Sequence, residues 1–147
     1  TGIVTRLDFT GLEHIMEMET QNVLYLAELI LRPYPNSDKQ VEFPEELILY
    51  TTDKYNRLTS ELQDDDDENL VADFYFDDMY HEDIHYTFDV TDFVMDELSD
   101  GYFNPENGLV ISFPSETFQS TGERLVLDAR SGNDYRPMLK LYFLMYE

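Results

Sequence analysis

Val23-Leu24-Tyr25-Leu26-Ala27-Glu28-Leu29-Ile30-Leu31-Arg32-Pro33 is the longest uninterrupted strand-like run in the chain, and its reading decides the fold. Side chains alternate across a strand. Strict alternation assigns Val23, Tyr25, Ala27, Leu29 and Leu31 to one face and Leu24, Leu26, Glu28, Ile30 and Arg32 to the other. The first face is apolar apart from one hydroxyl, and the second begins apolar and ends charged. That is the pattern of a central strand, buried on one side and partly covered on the other. Pro33 and Pro35 lack the amide hydrogen that a ladder needs, so they end it.

Working outward, residues 3–9 alternate as a strand. Thr10 and Glu13 form a capping-box pair at the head of a short helix over 11–18, with Leu12, Ile15 and Met16 at helical spacing. Strands are predicted over 45–52, 70–76, 84–90, 109–113, 124–129 and 138–146, and Thr91 caps a second short helix over 91–98. Residues 36–40 and 53–57 are turns, and Asp64-Asp65-Asp66-Asp67-Glu68 is a charged loop. About eight short strands, with no strand-to-long-helix alternation, predict an all-β fold. The expected architecture is one antiparallel β-sandwich, jelly-roll-like, with two short helices over residues 1–147.

With 42% apolar and 14% aromatic residues, the chain can bury a core, which separates it from disordered sequences. There are 32 acidic and 9 basic residues, a formal net charge of −23. Such a surface repels phosphates and anionic lipid, so nucleic acid and a direct membrane contact are not expected partners. There is no cysteine, so neither a disulfide nor a thiol enters the chemistry. The chain starts at Thr1-Gly2-Ile3, almost in strand pattern, and reads as a domain excised from a longer exported protein.

His81-Glu82-Asp83-Ile84-His85 spells the H-E-x-x-H pattern of zinc proteases. That chemistry needs both histidines on one helical face. The alternation running on from His85 predicts a strand, so the match reads as accidental and no enzyme is expected. The only other histidine is His14. The segment 64–92 is rich in carboxylates, and calcium takes six to eight oxygens. A structural calcium ion is the one cofactor it could hold, at Asp77, Asp78 and Asp83, although no EF-hand spacing is present. Tyr34, Tyr55, Tyr80, Tyr102 and Tyr135 fall in or beside predicted turns, where binding residues concentrate. Aromatic rings stack on the apolar faces of pyranose sugars, so these five are the candidate ligand-binding residues.

The order of these segments resembles a family of Bacteroidetes surface-lipoprotein domains of unknown function, family 4270. The stretches that carry the likeness are Thr5-Arg6-Leu7-Asp8-Phe9, Ala27-Glu28-Leu29-Ile30-Leu31, Leu47-Ile48-Leu49-Tyr50, Tyr86-Thr87-Phe88-Asp89-Val90-Thr91, Gly108-Leu109-Val110-Ile111, Arg124-Leu125-Val126-Leu127 and Leu139-Lys140-Leu141-Tyr142. More broadly, the chain looks like the sandwich domains that accompany carbohydrate-active enzymes. The resemblance implies a β-sandwich, export, and attachment to the cell surface through an upstream lipid anchor. It transfers no catalytic residue. Two functions are expected from different classes: a non-catalytic surface module binding an extracellular ligand such as a glycan, or a structural domain that assembles with neighbouring domains of its own parent protein. A zinc hydrolase built on His81, Glu82 and His85 is a competing third reading, which the strand pattern at His85 disfavours.

Overall fold

A computed structural model of the chain describes residues 4–17, 22–34, 43–77, 79–80, 83–99, 104–114, 125–130, 132 and 134–145. In chain order the elements are β1 (Thr5–Leu7), α1 (Leu12–Met16), β2 (Asn22–Leu31), β3 (Ile48–Thr52), β4 (Leu58–Glu61), β5 (Asp73–Phe76), β6 (Ile84–Asp89), α2 (Thr91–Ser99), β7 (Gly108–Ser112) and β8 (Met138–Met145). They form two four-stranded sheets, ordered β1-β7-β3-β4 and β5-β6-β2-β8, with every pairing antiparallel. Strands β1, β3 and β7 of the first sheet interleave along the chain with β2, β6 and β8 of the second. The result is the expected all-β sandwich. Among the described residues, no helix is long and apolar enough to cross a membrane.

The core lies between the sheets. Leu47, Leu49, Leu109 and Ile111 come from the first sheet and its approach, and Leu24, Ala27, Leu29, Leu31, Tyr86 and Phe88 from the second. Leu12 of α1 and Val94 of α2 close one end. Tyr86 is fully buried, stacks on Phe74 at 4.7 Å between ring centroids, and donates its hydroxyl to the carbonyl of Pro44. Each fully buried leucine, valine or phenylalanine of this core contributes roughly 1.5–3 kcal/mol.

The central strand is where it was expected, but its phase is corrected. The pairing with β8 slips between Leu24 and Leu26, opposite Phe143 and Tyr142. The extra residue, Tyr25, makes a β-bulge, and a one-residue slip turns every side chain on one side of it to the other face. Leu24 therefore joins Ala27, Leu29 and Leu31 in the core, while Val23 and Tyr25 stand 50% and 65% exposed.

Four further departures have local causes. α1 spans five residues, and its N-cap is Gly11 with no side-chain hydrogen bond, so Thr10 does not cap it. Thr91 begins α2 rather than capping it. Its hydroxyl accepts the amide of Ala27 at 3.0 Å and donates to Asp89, which also accepts the Thr91 amide at 3.1 Å. Leu125–Arg130 carries no strand; the Tyr34 amide donates to the Val126 carbonyl at 2.8 Å, while Leu125 and Leu127 rest on the core. β4 was not anticipated, because Leu58-Thr59-Ser60-Glu61 has little apolar content. It is an edge strand paired antiparallel with β3, and side-chain oxygens add to the ladder: Thr51 meets Thr59 at 2.6 Å and Ser60 at 2.9 Å.

Candidate functional site

Ile30 and Met138 are the last paired residues at one end of β2 and β8. Tyr34 follows that pair and Tyr135 precedes it, so the two strands deliver both tyrosines to the same end of the second sheet. Their rings meet edge to face, with centroids 5.5 Å apart and planes at 74°. Aromatic pairs favour this geometry because the positive edge of one ring faces the negative face of the other. Tyr34 keeps 39% of its surface exposed.

A charged fork completes the corner. Asp128 accepts the amide of Arg130 at 3.0 Å and two side-chain contacts from its Nε at 2.9 and 3.0 Å, and it also meets Nη2. The Asp128 side chain is 11% exposed and that of Arg130 is 77% exposed, so a sunken carboxylate fixes an outward guanidinium. The Arg130 pKa is raised above its ordinary value, first by the hydrogen bonds and then by the charge of Asp128, with smaller contributions from Tyr34. Tyr34 therefore lies beside the guanidinium. Asp128 and Arg130 were not singled out in the sequence because 124–129 read as a strand. The signal available was an acid and a base two apart at the head of Ser131-Gly132-Asn133, a turn-forming run.

The other predicted residues divide. Tyr80 is 69% exposed in the β5–β6 turn. Leu31 pairs with Tyr86 near the start of β6, so this turn stands at the same end as Tyr34. Tyr55 lies at the opposite end, where Arg6 ties its turn to the residues following α2. Its ring is already approached by Lys54 Nζ at 5.2 Å and Arg57 Cζ at 4.9 Å. Tyr102 lies outside the described residues. Three further tyrosines, Tyr25, Tyr75 and Tyr142, stand on the outer face of the second sheet.

The acidic candidates have local tasks. Asp77 accepts the amides of Met79 at 3.1 Å and Tyr80 at 3.4 Å, and its own amide bonds the Asp83 carbonyl at 3.1 Å. Asp83 faces His85 Nδ1 at 3.1 Å. Asp78 lies outside the described residues. Among the described residues, no three His, Cys, Asp or Glu side chains converge as a metal would require. His85 sits on β6, a strand, and stacks on Tyr75 at 5.0 Å. The helix that an H-E-x-x-H zinc site needs therefore does not run through it, while His81 and Glu82 lie outside the described residues. In the long acidic run, Asp64 accepts the amides of Asp66 and Glu68, both at 3.0 Å, which makes an ordered turn of what composition marked as a loop.

Comparison with family models, curated proteins and solved structures gave no match.

Proposed function

We propose that the chain is a non-catalytic surface module that binds a glycan at the corner formed by Tyr34, Tyr135, Asp128 and Arg130. The observation that carries this reading is the right-angled tyrosine pair beside a fixed guanidinium–carboxylate fork. A pyranose offers an apolar C–H face and a rim of hydroxyls. One ring of the corner stacks on the face while the fork donates to and accepts from the rim, the usual mixture of apolar lining and a few oriented polar groups. The net charge of −23 disfavours polyanionic sugars and leaves neutral glycans as the favoured class. Cell-surface placement rests on the family resemblance. A glycan array, followed by titration of any hit against the Tyr34→Ala variant, tests the reading. A hit whose affinity survives that substitution excludes this corner, and an array without hits at millimolar protein removes the glycan.

The assembly reading keeps one specific support, the apolar outer strand β8, and that strand carries a more definite inference.

A further inference from the structure

We infer that two copies of this chain join edge to edge through β8, making one continuous sheet across the dimer. The inference rests on the assembly reading and is independent of the Tyr34–Tyr135 corner.

Exposed sheet edges invite pairing, and proteins blunt them by keeping edge strands short or charged. Three outer strands here follow that rule: β1 has three residues and contains Arg6, β4 has four and contains Glu61, and β5 has four and contains Asp73. β8 does not. It runs for eight residues, Met-Leu-Lys-Leu-Tyr-Phe-Leu-Met, and among the described residues only β2 pairs with it. Its inward residues Leu139, Leu141 and Phe143 rest on the core yet remain half-buried, whereas Leu29 and Phe88 deeper in the same sheet are fully buried. Among the described residues, the flank of the sandwich is open along this strand.

Charge decides which partner fits. Two chains at −23 repel one another over most of their surface. Residues 135–146 are the longest stretch without an acidic residue and contain Arg136 and Lys140. Here two copies can meet without opposing carboxylates. Antiparallel pairing opposes residues of the same face, so a two-fold axis must pass through a residue position. With Leu141 on the axis, Leu139 opposes Phe143, Met138 opposes Leu144, and Lys140 opposes Tyr142, each pair occurring twice. Apolar meets apolar, and each ammonium meets a tyrosine ring, a favourable cross-strand contact. With Tyr142 on the axis instead, Lys140 would oppose Leu144 and lose that contact.

Sedimentation equilibrium of the full chain across a salt series is the test. The expected result is a dimer that tightens as salt screens the repulsion between copies. Tyr142→Lys, at a residue 42% exposed, sets an ammonium opposite Lys140 of the second copy and should give a folded monomer with an unchanged circular dichroism spectrum. Mixing it with the Lys140→Glu variant restores a mixed dimer, because the new lysine then faces the new carboxylate. A wild-type chain monomeric at every salt concentration overturns the inference. So does a dimer that survives Tyr142→Lys, or a mixture that fails to pair. A foreign extended peptide that takes the β8 edge of a monomer overturns it in favour of a different partner.

Discussion

Arg6 Nη2 donates to the main-chain carbonyl of Glu106 at 2.7 Å, joining residues one hundred positions apart. The same guanidinium donates through Nη1 to the Asp53 carbonyl at 2.7 Å and to Asn56 Oδ1 at 2.8 Å, and through Nε to Asp8 at 2.7 Å. One side chain thus ties β1 to the β3–β4 turn and to the turn before β7. A lysine gathers its donors on one nitrogen and cannot span these four acceptors as the planar guanidinium fork does. Arg6→Lys is expected to lower stability in chemical denaturation by about 1–3 kcal/mol, the cost of leaving charge-assisted bonds unmade. An unchanged midpoint would show that these turns hold their places without the guanidinium.

Gly108 explains why the arrangement is tight. A Cβ there would lie 2.8 Å from the Leu7 carbonyl, 2.9 Å from Asp8 Oδ1 and 3.2 Å from Arg6 Nε. The first obstacle is backbone and cannot swing away. Gly108→Ala is expected to destabilise by about 1–3 kcal/mol through overpacking. Because the same clash displaces the Arg6–Asp8 pair, the double variant with Arg6→Lys should cost less than the two single effects added. Strict additivity in that cycle would separate the two sites.

Tyr50 gives a pH signature. Its hydroxyl donates to Glu61 across β3 and β4, and its pKa is pushed up from 10.0 to about 12, first by that hydrogen bond, then by burial and by the Glu61 charge. The folded value lies above the unfolded one. Its contribution to stability is therefore complete below pH 10.0 and is lost as pH rises through about 12. The Tyr142 pKa is also raised, by its bond to Glu28, and contributes in the same direction. Denaturation midpoints should fall over that window, and Tyr50→Phe should flatten the fall. A wild-type slope retained in Tyr50→Phe would remove this bond from the alkaline limb.

Asp53 supplies the acid counterpart. Its carboxylate accepts the amides of Arg57 at 3.0 Å and Tyr55 at 2.8 Å and pairs with the Arg57 side chain at 2.9 Å. These bonds, that from the Arg57 amide foremost, hold its pKa below the ordinary 3.8. Here the folded value is the lower one, so the stabilisation is present above about pH 4 and disappears as pH falls through the folded value. Asp53→Asn keeps an acceptor for the two amides but cannot titrate. Its stability should fall less steeply than wild type below pH 3.8. Parallel acid limbs for the two proteins would argue that this turn does not report on acid unfolding.

These features were unequally legible in the sequence. The apolar run 23–31 announces a central strand because burial there is a matter of alternation, which one sequence displays. Its phase does not, because the bulge at Tyr25 is set by pairing with β8, more than a hundred residues away. The same limit hid β4, whose polar residues form a strand only because Tyr50 and Thr51 offer partners. Arg6 looked like one outward residue of a short strand; its role comes from where two distant turns arrive. At the candidate site, a tendency of tyrosines to lie in or next to turns singles out Tyr34 and Tyr135 from the sequence. Only the antiparallel register of β2 and β8 brings them together, while the β3–β4 turn carries Tyr55 to the far end.

That division sets the last prediction. If ligand contact follows exposure alone, Tyr55, more exposed than Tyr34, should matter at least as much. If it follows the corner, Tyr34→Ala and Tyr135→Ala should each weaken glycan binding by tenfold or more, about 1.4 kcal/mol for a lost stacking surface. Arg130→Ala should weaken it less, since the guanidinium is already satisfied by Asp128. Tyr55→Ala should leave binding unchanged, because Lys54 and Arg57 already occupy the surroundings of its ring. Isothermal titration of the four variants against one glycan separates these cases. Pairing through β8 adds a second readout, because an antiparallel joint places the two corners at opposite ends of the shared sheet. A divalent glycan surface would then hold the wild type more tightly than the monomeric Tyr142→Lys variant, while a single soluble glycan would bind both alike. Equal retention of the two proteins on such a surface would mean that the corners act singly.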